Sequence, residues 1–119
     1  MNQRIGPEVL PNSPLAKRVL FKTGTYPNPN RFNNDFCALS PLLIDELHKQ
    51  NVILVGIDTP SVDLCDSKNL LAHNRIAKYN MAILEGLLLT DVPEGKYELI
   101  ALPLKLMGCD GSPVRAVLR

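Results

Sequence analysis

The sequence predicts an α/β domain. Three observations carry that reading. Apolar runs of strand length alternate with two helix-compatible stretches. The run 52–57 (VILVGI) is apolar at almost every position, as a strand covered on both faces requires. Clusters of Asp, Asn, Gly and Pro separate the segments. The order strand, helix, strand, helix, then strands fits either an α/β sheet or a compact β/β/α arrangement. At 119 residues the chain suits one domain, large enough to bury about two-thirds of its unfolded surface.

Residues 1–14 contain Gly6, Pro7, Pro11, Asn12, Ser13 and Pro14 and read as an irregular lead-in, so the domain proper runs over 15–119. Residues 18–23 (RVLFKT) favour a strand that Gly24 ends. Residues 26–34 (YPNPNRFNN) have no periodic apolar face and read as loop. Ser40-Pro41 opens a helix: the serine can cap, and proline at the first helical position sacrifices no hydrogen bond. Leu43, Ile44 and Leu47 then share one face. Asp45 and Glu46 lie towards the positive end of that helix and His48 and Lys49 towards its negative end, which makes His48 a helix-end residue.

The strand 52–57 ends at Asp58-Thr59-Pro60, with Asp63 and Asp66 close behind. Ligands of open α/β sheets sit beyond the carboxyl ends of strands, so the loop 58–66 is a candidate site wall. The plainer reading is a turn rich in Asp, Ser and Pro for backbone reasons. Asp66 or Ser67 is expected to cap a second helix reaching about Tyr79, with Leu70, Ile76 and Ala77 around His73 on its apolar face. Residues 81–84 suggest a short buried strand and 91–95 a turn. Residues 97–106 (YELIALPLKL) suggest a long strand in which Pro103 marks an edge or a bulge. Asp110-Gly111 is a turn, and 114–118 a final strand.

Several function classes are excluded. A net charge of +1 gives no electrostatic case for nucleic acid or an anionic membrane. Aromatic residues make up 5% and there is no Trp, so a base-stacking platform is not expected. Cys37, Cys65 and Cys109 are odd in number and form no C-x-x-C, which points to reduced thiols and a cytoplasmic location. The N-terminal residues lead into no apolar signal-like region. The longest apolar stretch, 81–89, is too short to span a bilayer and contains Glu85.

Two residues stand out chemically. His73 falls on the apolar side of a helix, and Glu85 interrupts the run MAILEGLLL. A buried carboxylate needs a cation, a metal or a proton. Imidazole and carboxylate are both good zinc ligands. Their separation, 85 − 73 = 12, keeps them off a single helical face, so the chain must turn near Tyr79-Asn80 to bring them together. A satisfied core histidine and a strand-end glutamate are the alternative.

The segments RVLFKTGTYPNP, FCALSP, LVGIDTPSVD with DSKNLLAHN, AILEGL, and YELIALPLKLMGCDGSPVRAVLR cover most of residues 19–119. In that order they resemble the kynurenine formamidases (arylformamidases) of the metal-dependent, cyclase-like family. The resemblance implies a compact swivelling β/β/α domain and zinc bound by His73 and Glu85, in a site that is binuclear in the family. It also implies hydrolysis of N-formyl-L-kynurenine to L-kynurenine and formate, in tryptophan degradation, by a homodimer or larger assembly. The family's H-x-G-T-H-x-D motif and further histidine, which supply the remaining ligands and the catalytic histidine, have no match here. The sequence holds two histidines in all, and Thr23-Gly24-Thr25-Tyr26 has none. The expectation is therefore the C-terminal part of such a domain, incomplete at its N-terminus. Three functions remain open: a formamidase completed by an N-terminal fragment, a non-catalytic truncated module, or a related amidohydrolase with another amide substrate.

Overall fold

A computed structural model describes residues 3–119. The first two residues of the expected lead-in lie outside that range. In chain order the elements are β1 (Arg4–Ile5), a 3-10 turn (Pro7–Val9), β2 (Arg18–Phe21), β3 (Ala38–Leu39), α1 (Pro41–Lys49), β4 (Leu54–Ile57), α2 (Leu71–Lys78), β5 (Ala82–Leu84), β6 (Leu99–Pro103) and β7 (Val114–Leu118). The architecture is mixed α/β. A parallel sheet in the order β2-β4-β5 forms its centre, a two-stranded parallel pair joins β1 to β3, and β6 and β7 form an antiparallel hairpin.

Strand β4 is central because its residues can be. Val55, Gly56 and Ile57 are all buried, and β2 and β5 pair on either side. Gly56 is a close approach: a Cβ there would meet the side chains of Leu20 and Leu87. Helix α1 forms where its sequence signals place it. Ser40 Oγ accepts from the Leu43 amide at 3.1 Å, Pro41 sits in the first turn, and Leu43, Ile44 and Leu47 are buried. They join Leu39, Val55, Ile57, Val62, Ala72 and Ile76 in one core. Ser40→Ala orphans a helix N–H and is expected to cost about 1 kcal/mol in urea melts.

The two helices are tied by a polar contact at their exposed side. Asp45 accepts from the Arg75 guanidinium and, at 2.6 Å, from the Tyr79 hydroxyl. The Arg75 bond, then the Tyr79 bond, hold the Asp45 carboxyl below the usual carboxylate range. His48 stacks on the Tyr79 ring at 3.9 Å between centroids, a packing role at the helix end.

The structure departs from the sequence reading at several places. The lead-in is not wholly irregular: Arg4 and Ile5 pair with Ala38 and Leu39, and Ile5, Leu10 and Leu15 pack on the core. Neither Asp66 nor Ser67 caps α2; Leu70 occupies the cap position with φ of 46° and gives no side-chain cap. The buried side of α2 is Ala72 and Ile76, while Leu70 and Ala77 are exposed. Strand β5 is partly exposed, since it is the sheet's edge. Strand β6 stops at Pro103, which has no N–H to extend the ladder. Among the described residues, no helix is long and apolar enough to cross a membrane.

Candidate metal centre

The topology brings three loops to one end of the parallel sheet. Thr23-Gly24 follows β2, residues 58–63 follow β4, and Glu85 follows β5. Because α2 leads from the end of β4 back to the start of β5, its first turn lies at that same end. His73, in this first turn, therefore faces Glu85, just past the last residue of β5, across twelve residues of sequence.

Asp58 serves the scaffold. Its carboxylate accepts from the Thr23 amide at 3.0 Å, the Thr23 hydroxyl at 2.7 Å and the Gly24 amide at 2.9 Å, tying the ends of β2 and β4 together. Gly24 has φ of 69°, a conformation that favours glycine. After β5, the Gly86 amide donates to Thr59 O at 2.8 Å and the Leu87 amide to Ile57 O at 3.1 Å. These bonds set the height of Glu85, whose Oε2 accepts from the Val62 amide at 2.8 Å.

His73 is held by Asp63. The His73 amide and ring Nδ1 lie 3.0 and 2.8 Å from Asp63 Oδ2. The other oxygen, Oδ1, accepts from the Ala72 amide at 2.9 Å and from Arg4 Nη1 at 2.7 Å. The far ring nitrogen, Nε2, stands 3.4 Å from Glu85 Oε2. The His73 and Glu85 side chains keep 33% and 30% of their surface open, whereas that of Asp63 is fully buried. Glu85 is therefore not the buried carboxylate expected from its apolar surroundings. The chain turns at Gly86, with φ of 68°, and the glutamate emerges at the sheet's end. The buried acid is Asp63.

Asp63 and Arg4 are what sequence reasoning missed as site residues. Asp63 was visible only as one acid of the loop 58–66. Its role as acceptor for the first turn of α2 depends on the loop folding back, for which no local spacing rule exists. Burial alone pushes the Asp63 carboxyl up. The hydrogen bonds from the His73 and Ala72 amides, the His73 ring and Arg4 outweigh that, and the group sits below the usual carboxylate range.

No family model matches the chain. Solved structures do match. One is a predicted metal-dependent hydrolase from Bacillus stearothermophilus, 31% identical, with a TM-score of 0.84 over 99% of this chain and 58% of that one. Another is a potential metal-dependent hydrolase with cyclase activity, 31% identical, with a TM-score of 0.86 over 99% of this chain and 59% of that one. The chain has the fold of metal-dependent, cyclase-like hydrolases. It spans less than two-thirds of the length of either neighbour.

The His73–Glu85 pair of this hydrolase-like fold can be tested against a metal. Two zinc bonds of about 2.0–2.1 Å at a tetrahedral angle place their donor atoms roughly 3.3 Å apart. The observed 3.4 Å between Nε2 and Oε2 fits that edge. The pair does not complete a site: among the described residues no group of three or more His, Cys, Asp or Glu could hold a metal ion. The residues present fit one side of a metal centre.

Proposed function

We propose that this chain contributes His73 and Glu85 as two ligands of a zinc centre in an arylformamidase. The assembled enzyme would hydrolyse N-formyl-L-kynurenine to L-kynurenine and formate, in the cytoplasm. The observation that carries the reading is the 3.4 Å approach of an imidazole nitrogen and a carboxylate oxygen at the carboxyl end of a parallel sheet. The description of both structural neighbours as metal-dependent hydrolases supports the reaction class. The segments quoted above that resemble kynurenine formamidases support the substrate. The exposed thiols of Cys65 and Cys109 are in keeping with a reducing compartment.

A bound zinc would polarise the formyl carbonyl and lower the pKa of a water towards neutrality. The chain's own part is to place the donors. Asp63 orients the His73 ring, and the Val62 amide fixes Glu85 Oε2. Hydrolysis also needs a base for the water's proton and an acid for the leaving aniline nitrogen. We assign these, with the remaining ligands, to a complementing polypeptide of different sequence, since a second copy of this chain carries the same two histidines. The small number of donors favours a second reading, a non-catalytic assembly module. A related amidohydrolase acting on another cyclic or formylated amide is the alternative substrate reading; the neighbour described as a potential metal-dependent hydrolase with cyclase activity supports it at the level of reaction class.

Hydrolysis of N-formyl-L-kynurenine, followed by the absorbance of kynurenine, tests the proposal. The chain alone is expected to show no turnover, because half a site cannot orient water and substrate together. Co-expression with a polypeptide supplying the H-x-G-T-H-x-D ligands is expected to give turnover that His73→Ala abolishes. Turnover by the chain alone, unslowed by His73→Ala, would sink it. Glu85→Gln separates metal binding from folding. The amide oxygen can still accept from Val62, so metal-free stability is expected to stay within about 0.5 kcal/mol, while zinc affinity drops. A clear loss of stability without metal would make Glu85 a structural residue instead.

A further inference from the structure

We infer that Asp63 is the positioning residue of this centre: it holds His73 as the Nδ1–H tautomer and leaves the Nε2 lone pair facing Glu85 and a bound divalent cation. The inference rests on reading His73 and Glu85 as metal ligands, and it adds the group that makes the imidazole usable.

The tautomer of His73 follows from what each atom can donate or accept. The two Asp63 oxygens meet Arg4 Nη1, the Ala72 amide, the His73 amide and the His73 ring. An ionised carboxylate only accepts, so the ring nitrogen 2.8 Å from Oδ2 carries the hydrogen. A neutral imidazole has one N–H, so Nε2 is then an acceptor. It faces Glu85 Oε2, which already accepts from the Val62 amide. With the ring neutral, these are two acceptors 3.4 Å apart, a spacing that a shared metal cation fits. The hold on His73 is two-point, since Oδ2 takes both its amide and its ring, and this fixes ring orientation as well as tautomer. Arg4 pairs with the same carboxylate through Oδ1 at 2.7 Å. It reaches there from β1, where its guanidinium also donates to Leu39 O at 2.8 Å and to Ser67 Oγ at 3.3 Å. The strand formed by the lead-in is thus part of the centre's scaffold. Carboxylates behind metal-bound imidazoles act in this manner, and their loss commonly weakens metal binding about 10- to 100-fold.

Nitrogen-15 NMR of the imidazoles tests the assignment on the full chain. There are two histidines, so His48→Gln leaves only the His73 signals. At a pH well above the ordinary imidazole value, the proton is expected on Nδ1, with zinc shifting Nε2. In Asp63→Asn the amide NH2 can be turned to the ring. His73 is then expected to move towards the Nε2–H form, and zinc affinity to fall about 10- to 100-fold by titration calorimetry. A wild-type proton on Nε2 together with a zinc response overturns the positioning role alone, and this is decided even if Asp63→Asn fails to fold. A proton on Nδ1 with no response of His73 to zinc overturns the metal reading, and with it the assignment of Asp63 to a metal centre. A folded Asp63→Asn with unchanged tautomer and unchanged zinc affinity also overturns the role.

Discussion

Replacing Asp63 with alanine is expected to cost about 3–5 kcal/mol of folding stability, the range for breaking a buried ion pair by removing one partner. The side chain is fully buried and serves four donors. Its removal leaves the Arg4 guanidinium without its carboxylate and the first-turn amides of α2, at Ala72 and His73, without an acceptor. Domains of this size are stable by about 5–15 kcal/mol, so the loss would be visible directly in urea melts at neutral pH. The same group sets an acid limit. Its folded pKa lies below the ordinary value, which is about 3.9 for the unfolded chain. Its contribution is therefore complete above that value and is lost as pH falls through the lowered folded pKa. Wild type should lose stability steeply in that acid range, and Asp63→Ala should show a flatter profile there. A cost under about 1 kcal/mol would mean that Asp63 does not anchor α2.

Zinc binding by the isolated chain is expected to be weak and to vanish in His73→Ala. Catalytic zinc sites ordinarily take three protein ligands and structural ones four, whereas one imidazole and one carboxylate face each other here. Binding should weaken further at acid pH, because the imidazole must be neutral to coordinate. The substitution removes the ring contact but keeps the residue-73 amide that donates to Asp63, along with the Ala72 and Arg4 bonds to the same carboxylate. Loss of binding in a variant that still melts cooperatively would therefore report the ligand itself. A tight one-to-one complex surviving in His73→Ala, measured by titration calorimetry, contradicts the assignment.

What could be read from sequence was local. The start of α1 follows from Ser40-Pro41 and three apolar residues on one face, and β2, β4 and β7 follow from short β-favouring runs. Each of these signals acts within a few residues. The cap of α2 does not. Asp63 reaches its first turn only after the loop 58–70 has folded back, whereas the nearer Asp66 and Ser67 are what local spacing points to. Arg4 meets Asp63 across 59 positions, a distance over which no pattern speaks, and the lead-in around it looked irregular because its strand is two residues long. Glu85 was singled out by chemistry, as a charge within an apolar run, but its exposure depends on the left-handed turn at Gly86. The pairing of His73 with Glu85 needed the parallel strand–helix–strand crossover, which sets a helix's first turn beside the end of the next strand.

The most direct measurement is zinc K-edge X-ray absorption on the zinc-loaded chain. Sharing of one ion by His73 and Glu85 predicts a single imidazole and otherwise oxygen donors, with Zn–N near 2.0–2.1 Å, and loss of the imidazole signal in His73→Ala. Sulfur donors at about 2.3 Å, from any of the three cysteines, or an imidazole signal that persists in His73→Ala, would contradict it.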